Sequence, residues 1–73
     1  MQNRLPNLNF LLTFEVAGQM LSFKQAAEAL HVTPSAVSQQ IQQLEDAIGK
    51  PLFLRHNRSL ELTDDGEQLL TLI

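Results

Sequence analysis

The segment 22–45 restricts the possible folds of this chain more than any other part of its sequence. Two runs with a helical spacing of apolar residues follow one another here, separated by a short turn. The second run has an unusual polar face, because residues 34–44 contain no charged side chain. Two helices joined by a tight turn form the helix-turn-helix, whose second helix enters the DNA major groove. The segment therefore predicts both an architecture and a kind of surface.

The first helix of this pair has a clear start and a face of small residues. Ser22 and Gln25 have the spacing of a capping box, which predicts a helix that opens at Ser22. Ala26 and Ala27 leave room for a second helix to cross closely. Val32 follows the end of this helix, and we expect its side chain to anchor the turn in the core.

The second helix of the pair is predicted over residues 34–47. Thr33 is a suitable N-cap, and Pro34 takes the first helical position, where its missing N–H is not needed. Gly49 then ends the helix, as glycine commonly does. Apolar residues at steps of four, three and four predict a buried stripe made of Val37, Ile41, Leu44 and Ile48.

A further helix is expected before this pair, at about residues 8–18. Asn7 is a plausible N-cap for it. Leu11, Phe14 and Leu21 share one face at helical spacing, so we expect them to contribute to the core.

The pattern changes after Pro51. Leucines that alternate with Glu61 predict a two-stranded hairpin with a basic tip at residues 55–59. Thr63 is the expected cap of a last helix, whose first turn is acidic, as the helix dipole favours. The chain is therefore predicted to be mainly α, a winged helix-turn-helix with a three-helix core, a two-stranded wing and the start of a C-terminal linker helix.

The last helix suggests how the chain is divided and assembled. We assign residues 1–62 to a winged helix-turn-helix DNA-binding domain and residues 63–73 to the start of a dimerising linker helix. In a small domain, the apolar residues of this helix cannot all be buried on one face. A two-fold dimer would cover them. The expected dimer interface consists of Leu69, Leu70, Leu72 and Ile73.

Composition excludes several other functions. The 73 residues suffice for one small domain, and the absence of cysteine excludes disulfides and cysteine zinc sites. His31 and His56 lack the neighbours that a metal site or a catalytic pair needs, and no phosphate-binding loop or nucleophile elbow is present. No apolar run is long enough to span a membrane. We therefore expect a cytoplasmic protein without metal, cofactor or enzymatic activity.

The uncharged face of the second helix is suited to reading DNA bases. Gln pairs bidentately with adenine, Ser donates or accepts a hydrogen bond, and the start of the helix offers free N–H groups to a phosphate. Arg55 is expected on a phosphate and Arg58 near the minor groove. The predicted DNA-binding residues are Thr33, Pro34, Ser35, Ser38, Gln39, Gln42, Arg55 and Arg58.

Three other interpretations of the sequence compete with DNA recognition. A solvated third helix of a simple bundle would usually carry both Lys and Glu, which residues 34–44 do not. The main alternative is a winged-helix module that binds another protein and no DNA. The net charge of −3 is compatible with that alternative, since it disfavours a generic nucleic-acid binder. A small hydrolase would need a nucleophile and a base that the sequence does not pair.

These residues resemble the N-terminal DNA-binding domain of the LysR-type transcriptional regulators from about Leu8 onward. The resemblance implies DNA contacts at Pro34, Ser35, Ser38, Gln39, Arg55 and Arg58, and a long dimerising linker helix opened by Thr63. The positions that carry it are Phe14, Ser22, Phe23, Ala26, Ala27, Leu30, Val32, Thr33, Ala36, Val37, Ser38, Gln40, Ile41, Leu44, Glu45, Gly49, Leu52, Phe53, Arg55, Leu62, Thr63 and Gly66.

Segments 4–9 and 57–60 are similar to one branch of that family, the branch of the glycine-cleavage regulator. Members of the family often carry Arg at the position of Gln39 and basic residues at those of Gln42 and Gln43. We therefore expect weaker non-specific binding and a shallower salt dependence. Because family proteins are about four times longer, we expect a small-molecule effector to act only through a C-terminal domain beyond this chain. The expected partners are a pseudo-palindromic duplex and a second copy of the chain, with a tetramer as an option for the longer protein.

Overall fold

The computed structural model of the protein describes residues 8–57 and 59–73. Its elements follow the predicted order of three helices, a hairpin and a last helix, which confirms the winged helix-turn-helix fold. They are α1 (Leu8–Met20), α2 (Phe23–Leu30), α3 (Pro34–Ile48), β1 (Phe53–Arg55), β2 (Leu60–Leu62) and α4 (Asp64–Leu72). Helix α1 is two residues longer than predicted, and its expected cap Asn7 lies outside the described residues.

Three helices begin with the same hydrogen bond. The side-chain oxygens of Ser22, Thr33 and Thr63 accept the backbone N–H of the third residue after them, at 3.1, 3.1 and 3.0 Å. Each cap residue has an extended backbone, so the chain changes direction where the helix starts. A cap of this kind contributes about 1 kcal/mol. These contacts confirm all three predicted helix starts.

The turn between α2 and α3 is held by its backbone. His31 adopts a left-handed conformation with φ of 61°, and its N–H is bound by the last carbonyls of α2. The N–H of Val32 donates to Ala27 O at 3.0 Å. Helix α3 ends in a related way at Gly49, whose φ is 84° and whose N–H donates to Glu45 O at 2.7 Å. Left-handed caps satisfy carbonyls that a helix end leaves free.

The core lies where α1, α2, α3 and the start of the wing meet. Phenylalanine rings connect these elements: the ring centroids of Phe14 and Phe53 are 5.6 Å apart, and those of Phe23 and Phe53 are 5.4 Å apart. Such pairs add to the stability that burial provides. The buried apolar residues of the core are Phe14, Ala17, Ala26, Ala27, Val37, Ile41, Leu44, Leu52 and Phe53.

Three residues that we expected in the core are exposed. Leu21 lies past the end of α1 with φ of 52°, and its side chain is 44% exposed. Val32 is 42% exposed, because backbone hydrogen bonds and not this side chain hold the turn. Ile48 is 41% exposed, since it is the last residue of α3 and lies one turn beyond the buried Leu44. For Leu21 and Ile48, helical spacing did not show where the packing of the core stops.

The wing is a two-stranded antiparallel sheet, as predicted. Its register pairs Phe53 with Leu62 and Arg55 with Leu60. The N–H of His56 donates to Ser59 O at 2.9 Å and closes the loop.

Helix α4 returns from the wing to the core. The hydroxyl of Thr63 donates to Pro51 O at 2.8 Å, and its N–H donates to Leu52 O at 3.0 Å. Gly66 allows the close approach, because a Cβ there would lie 2.2 Å from Leu52 O. Leu69 and Leu70 pack partly buried against the core. The start of α4 is therefore attached to the same core as the three preceding helices.

Candidate nucleic-acid interface

Helix α3 has one buried side and one open side. Val37, Ile41 and Leu44 are buried in the core. The hydroxyl of Thr13 in α1 donates to Gln40 Oε1 at 2.5 Å. This bond attaches α3 to α1 at a fourth residue of α3. The open side, which these contacts hold in a defined orientation, begins at the N-cap of α3.

The predicted recognition residues lie on this open side. Ser38 is half-buried, and the other five, which are Thr33, Pro34, Ser35, Gln39 and Gln42, are exposed. The structure thus brings the six helix positions of the predicted set together around the start and middle of α3. We call the set Thr33, Pro34, Ser35, Ser38, Gln39 and Gln42 the polar face of α3.

Arg55 joins the wing to the polar face. Its guanidinium carbon lies 5.0 Å from the centroid of the Phe23 ring in α2. Its Nη1 donates to Ser38 Oγ at 3.4 Å. A guanidinium over an aromatic ring is held by the quadrupole of the ring. Because it has five N–H donors, it keeps donors for a phosphate. Arg55 is the cation of the wing tip that the structure describes. It therefore lies beside the polar face, as a DNA-binding surface requires.

Sequence reasoning did not identify Phe23 as the support of Arg55. The two residues are 32 positions apart, so no local spacing connects them. Arg58, the second predicted cation of the wing, lies outside the described residues. Its assignment near the minor groove remains a prediction.

Glu45 attaches the wing to α3. Its Oε2 accepts the backbone N–H of Leu52 at 2.7 Å and that of Phe53 at 3.2 Å. These bonds fix the point at which the chain enters β1, two residues before Arg55. This role of Glu45 was not predicted from the sequence. The available signal was an acid at the end of an uncharged run, eight residues before a strand whose N–H groups need an acceptor.

Two ion pairs lie on the surface outside the polar face. Lys50 Nζ lies 3.6 Å from Asp65 Oδ1 in α4, and both side chains are exposed. His56 Nε2 lies 3.5 Å from Glu61 Oε2 across the wing. Exposed pairs of this kind contribute little to stability. Lys50 is consequently directed toward α4.

The side chains and helices that the structure describes also bear on metal binding and membrane insertion. Within residues 8–57 and 59–73, no three His, Cys, Asp or Glu side chains are grouped to hold a metal ion. Among the same residues, no helix has the length and apolar character needed to cross a membrane.

The architecture and this surface define a winged helix-turn-helix of the DNA-binding type. The chain matches the family described as bacterial regulatory helix-turn-helix protein, lysR family, over residues 8–67. It is 55% identical over 67 residues to the glycine cleavage system transcriptional activator of Escherichia coli strain K12, covering 92% of this chain and 22% of that protein. The chain belongs to the lysR family and spans about a fifth of the length of this relative.

Two solved structures of DNA complexes are similar to the whole domain. One is titled as the BenM_DBD/catB site 1 DNA complex, with a TM-score of 0.86 and 30% identity, and covers 90% of this chain and 73% of that one. The other is titled as the CbnR_DBD–DNA complex, with a TM-score of 0.86 and 31% identity, and covers 89% of this chain and 75% of that one.

Replacing Glu45 tests its role as the attachment point of the wing. Glu45→Ala leaves two N–H groups without their carboxylate, and hydrogen bonds to a charged group contribute about 1.5–3 kcal/mol each. We expect the free energy of unfolding to fall by about 2–3 kcal/mol in urea titrations followed by circular dichroism. The matched control is Asp46→Ala, the exposed neighbouring acid, which should change it by less than about 0.5 kcal/mol. Equal losses for the two variants would contradict the assignment.

Proposed function

We propose that this chain is the sequence-specific DNA-binding domain of a bacterial transcription regulator. Helix α3 lies in the major groove, and the wing at residues 55–59 lies on the backbone and minor groove. The observation that carries the proposal is the contact of Arg55 with Ser38, which joins a supported cation to an uncharged hydrogen-bonding face. The names and DNA complexes of the relatives support it.

The two parts of the surface have different tasks. The polar face supplies Ser and Gln groups, which hydrogen-bond base edges, and the start of α3, where a backbone N–H donates to a phosphate. Arg55 contacts a phosphate, with Arg58 as the second cation of the wing. Because the chain has few cations and a net charge of −3, its electrostatic attraction to the DNA phosphates is weak. The polar face therefore selects the site, and the wing together with a second protomer holds the protein there.

A homodimer provides that second protomer. Leu69 and Leu70 pack against the core of their own chain, whereas Leu72 is 82% and Ile73 is 48% exposed. Leu72 and Ile73 are therefore the dimerisation surface that α4 offers. Leu69 and Leu70, which are partly buried, hold the helix against the core of its own chain. Two α3 helices related by a two-fold axis read half-sites about 34 Å apart, so the operator is pseudo-palindromic.

The longer protein carries the remaining functions. We assign residues 63–73 to the start of its linker helix and place effector binding and any assembly to a tetramer in parts beyond this chain. The regulator acts in the cytoplasm, where bacterial DNA lies, and has no enzymatic activity of its own. Relatives that are named as transcriptional regulators support this assignment.

Three alanine variants test the division of tasks within the surface. Gln39→Ala and Ser38→Ala should weaken binding to a selected duplex about tenfold each and leave binding to random duplex nearly unchanged, because they remove contacts to bases. Arg55→Ala should weaken both and reduce the slope of log affinity against log salt by about one. Fluorescence anisotropy at several salt concentrations measures these effects.

Glu28→Ala, which removes an exposed acid of α2, serves as the control and should keep the preference for the selected duplex. Equal loss of specific and random binding in all three variants would contradict the division. Binding that shows neither salt dependence nor sequence preference would favour a module that binds protein.

Changing Leu72 tests the dimer surface. Leu72→Glu places a charge on the most exposed apolar residue of α4 and should shift the dimer to monomer in sedimentation equilibrium, with the dissociation constant raised at least about tenfold. Leu12→Glu in α1 is the matched control, since Leu12 is an exposed leucine on another surface. An unchanged dimer in Leu72→Glu would show that another surface is used.

A further inference from the structure

Asp46 occupies a position where a negative charge is unfavourable. It lies in the last turn of α3, where the helix dipole disfavours acids. It also belongs to the helix that the proposed function places in DNA, and phosphates repel carboxylates. The neighbouring acid Glu45 is explained by its bonds to the wing, but Asp46 is exposed on the surface. Another contact must account for it.

That contact is with the polar face of α3. Gln42 Nε2 donates to Asp46 Oδ1 at 3.2 Å, across one helical turn. An ionised carboxylate only accepts hydrogen bonds, so the amide nitrogen of Gln42 must face Asp46 and its oxygen must face away. The stability that such a pair gives a helix is no larger than the unfavourable effect of the dipole. Helix stability therefore does not explain the pair, whereas the orientation of the amide does.

The fixed amide distinguishes adenine from guanine. In the major groove adenine presents the N6 donor beside the N7 acceptor, and guanine presents the acceptors O6 and N7. With one N–H bound to Asp46, Gln42 retains its second N–H and its oxygen, the pair that adenine needs. An amide that rotates freely can turn its nitrogen toward guanine O6. A fixed amide keeps its oxygen there, and two acceptors do not bond.

We propose that Asp46 is a positioning residue that sets base specificity by holding the amide of Gln42, so that the base pair facing Gln42 is recognised as adenine and guanine is rejected. This proposal rests on the proposed function, because it assigns a particular base preference to the same surface. It predicts that an acid on a DNA-binding helix raises specificity while it lowers general affinity.

Selection of bound duplexes from a random library tests the proposal. We expect the wild-type chain to prefer adenine over guanine about tenfold at one position of each half-site. Gln42→Ala should abolish the preference at that position. Asp46→Ala should lower it about twofold and leave the other positions unchanged, since the amide is present but free to rotate.

Asp46→Asn separates orientation from charge. The Asn oxygen still accepts from Gln42, so this variant should retain most of the adenine preference. Both changes at Asp46 remove the same charge, so both should raise affinity for random duplex equally. Glu28→Ala, which removes an exposed acid of α2, should leave every base preference unchanged.

Two results would overturn this inference while the proposed function stands. One is an adenine preference in Asp46→Ala that is as strong as the preference of the wild-type chain. The other is a loss in Asp46→Asn as large as that in Asp46→Ala, which would assign the effect to charge. If the wild-type chain selected no sequence at all, the proposed function would fail together with the inference.

Discussion

The two hydrogen bonds that Glu45 accepts from the wing determine how the surface of this domain is arranged. They join the end of α3 to the residues where the chain enters β1, at 2.7 and 3.2 Å. Arg55 follows in the same strand and reaches Ser38 and the ring of Phe23. An isolated two-stranded hairpin is marginally stable, so a three-residue strand depends on contacts with the rest of the fold. The Glu45 bonds and the burial of Phe53 against Phe14 and Phe23 together orient the wing cation relative to α3.

Several charged side chains of the domain hold other groups in position or are themselves held in position. Glu45 holds the wing, Asp46 contacts Gln42, and Arg55 is supported by an aromatic ring. The polar face itself is uncharged and offers Ser and Gln groups that can hydrogen-bond base edges. Under the proposed function, such a domain obtains its affinity for DNA from a few placed contacts and from a second copy of the chain.

Much of the fold was predictable because its signals are local. Ser22, Thr33 and Thr63 cap helices as their spacing indicated, and Gly49 ends α3 in a left-handed conformation. The misplaced residues were Leu21 and Ile48, which share a periodic pattern with the core but lie where helices end, and Val32, which was expected to anchor the turn. The support of Arg55 by Phe23 and the role of Glu45 were not predictable, since they join elements that meet only in the folded chain. The same holds for the bond between Thr13 and Gln40.

The central claim is that the polar face and the wing form one specific DNA-binding surface with few phosphate contacts. The most direct test is to measure the affinity of the chain for a selected duplex and for a scrambled duplex at 50 and 200 mM salt. For about two to four neutralised phosphates, both affinities should fall by roughly ten- to a hundredfold, and the selected duplex should bind more tightly at both salt concentrations. Equal affinities for the two duplexes that do not change with salt would contradict the claim.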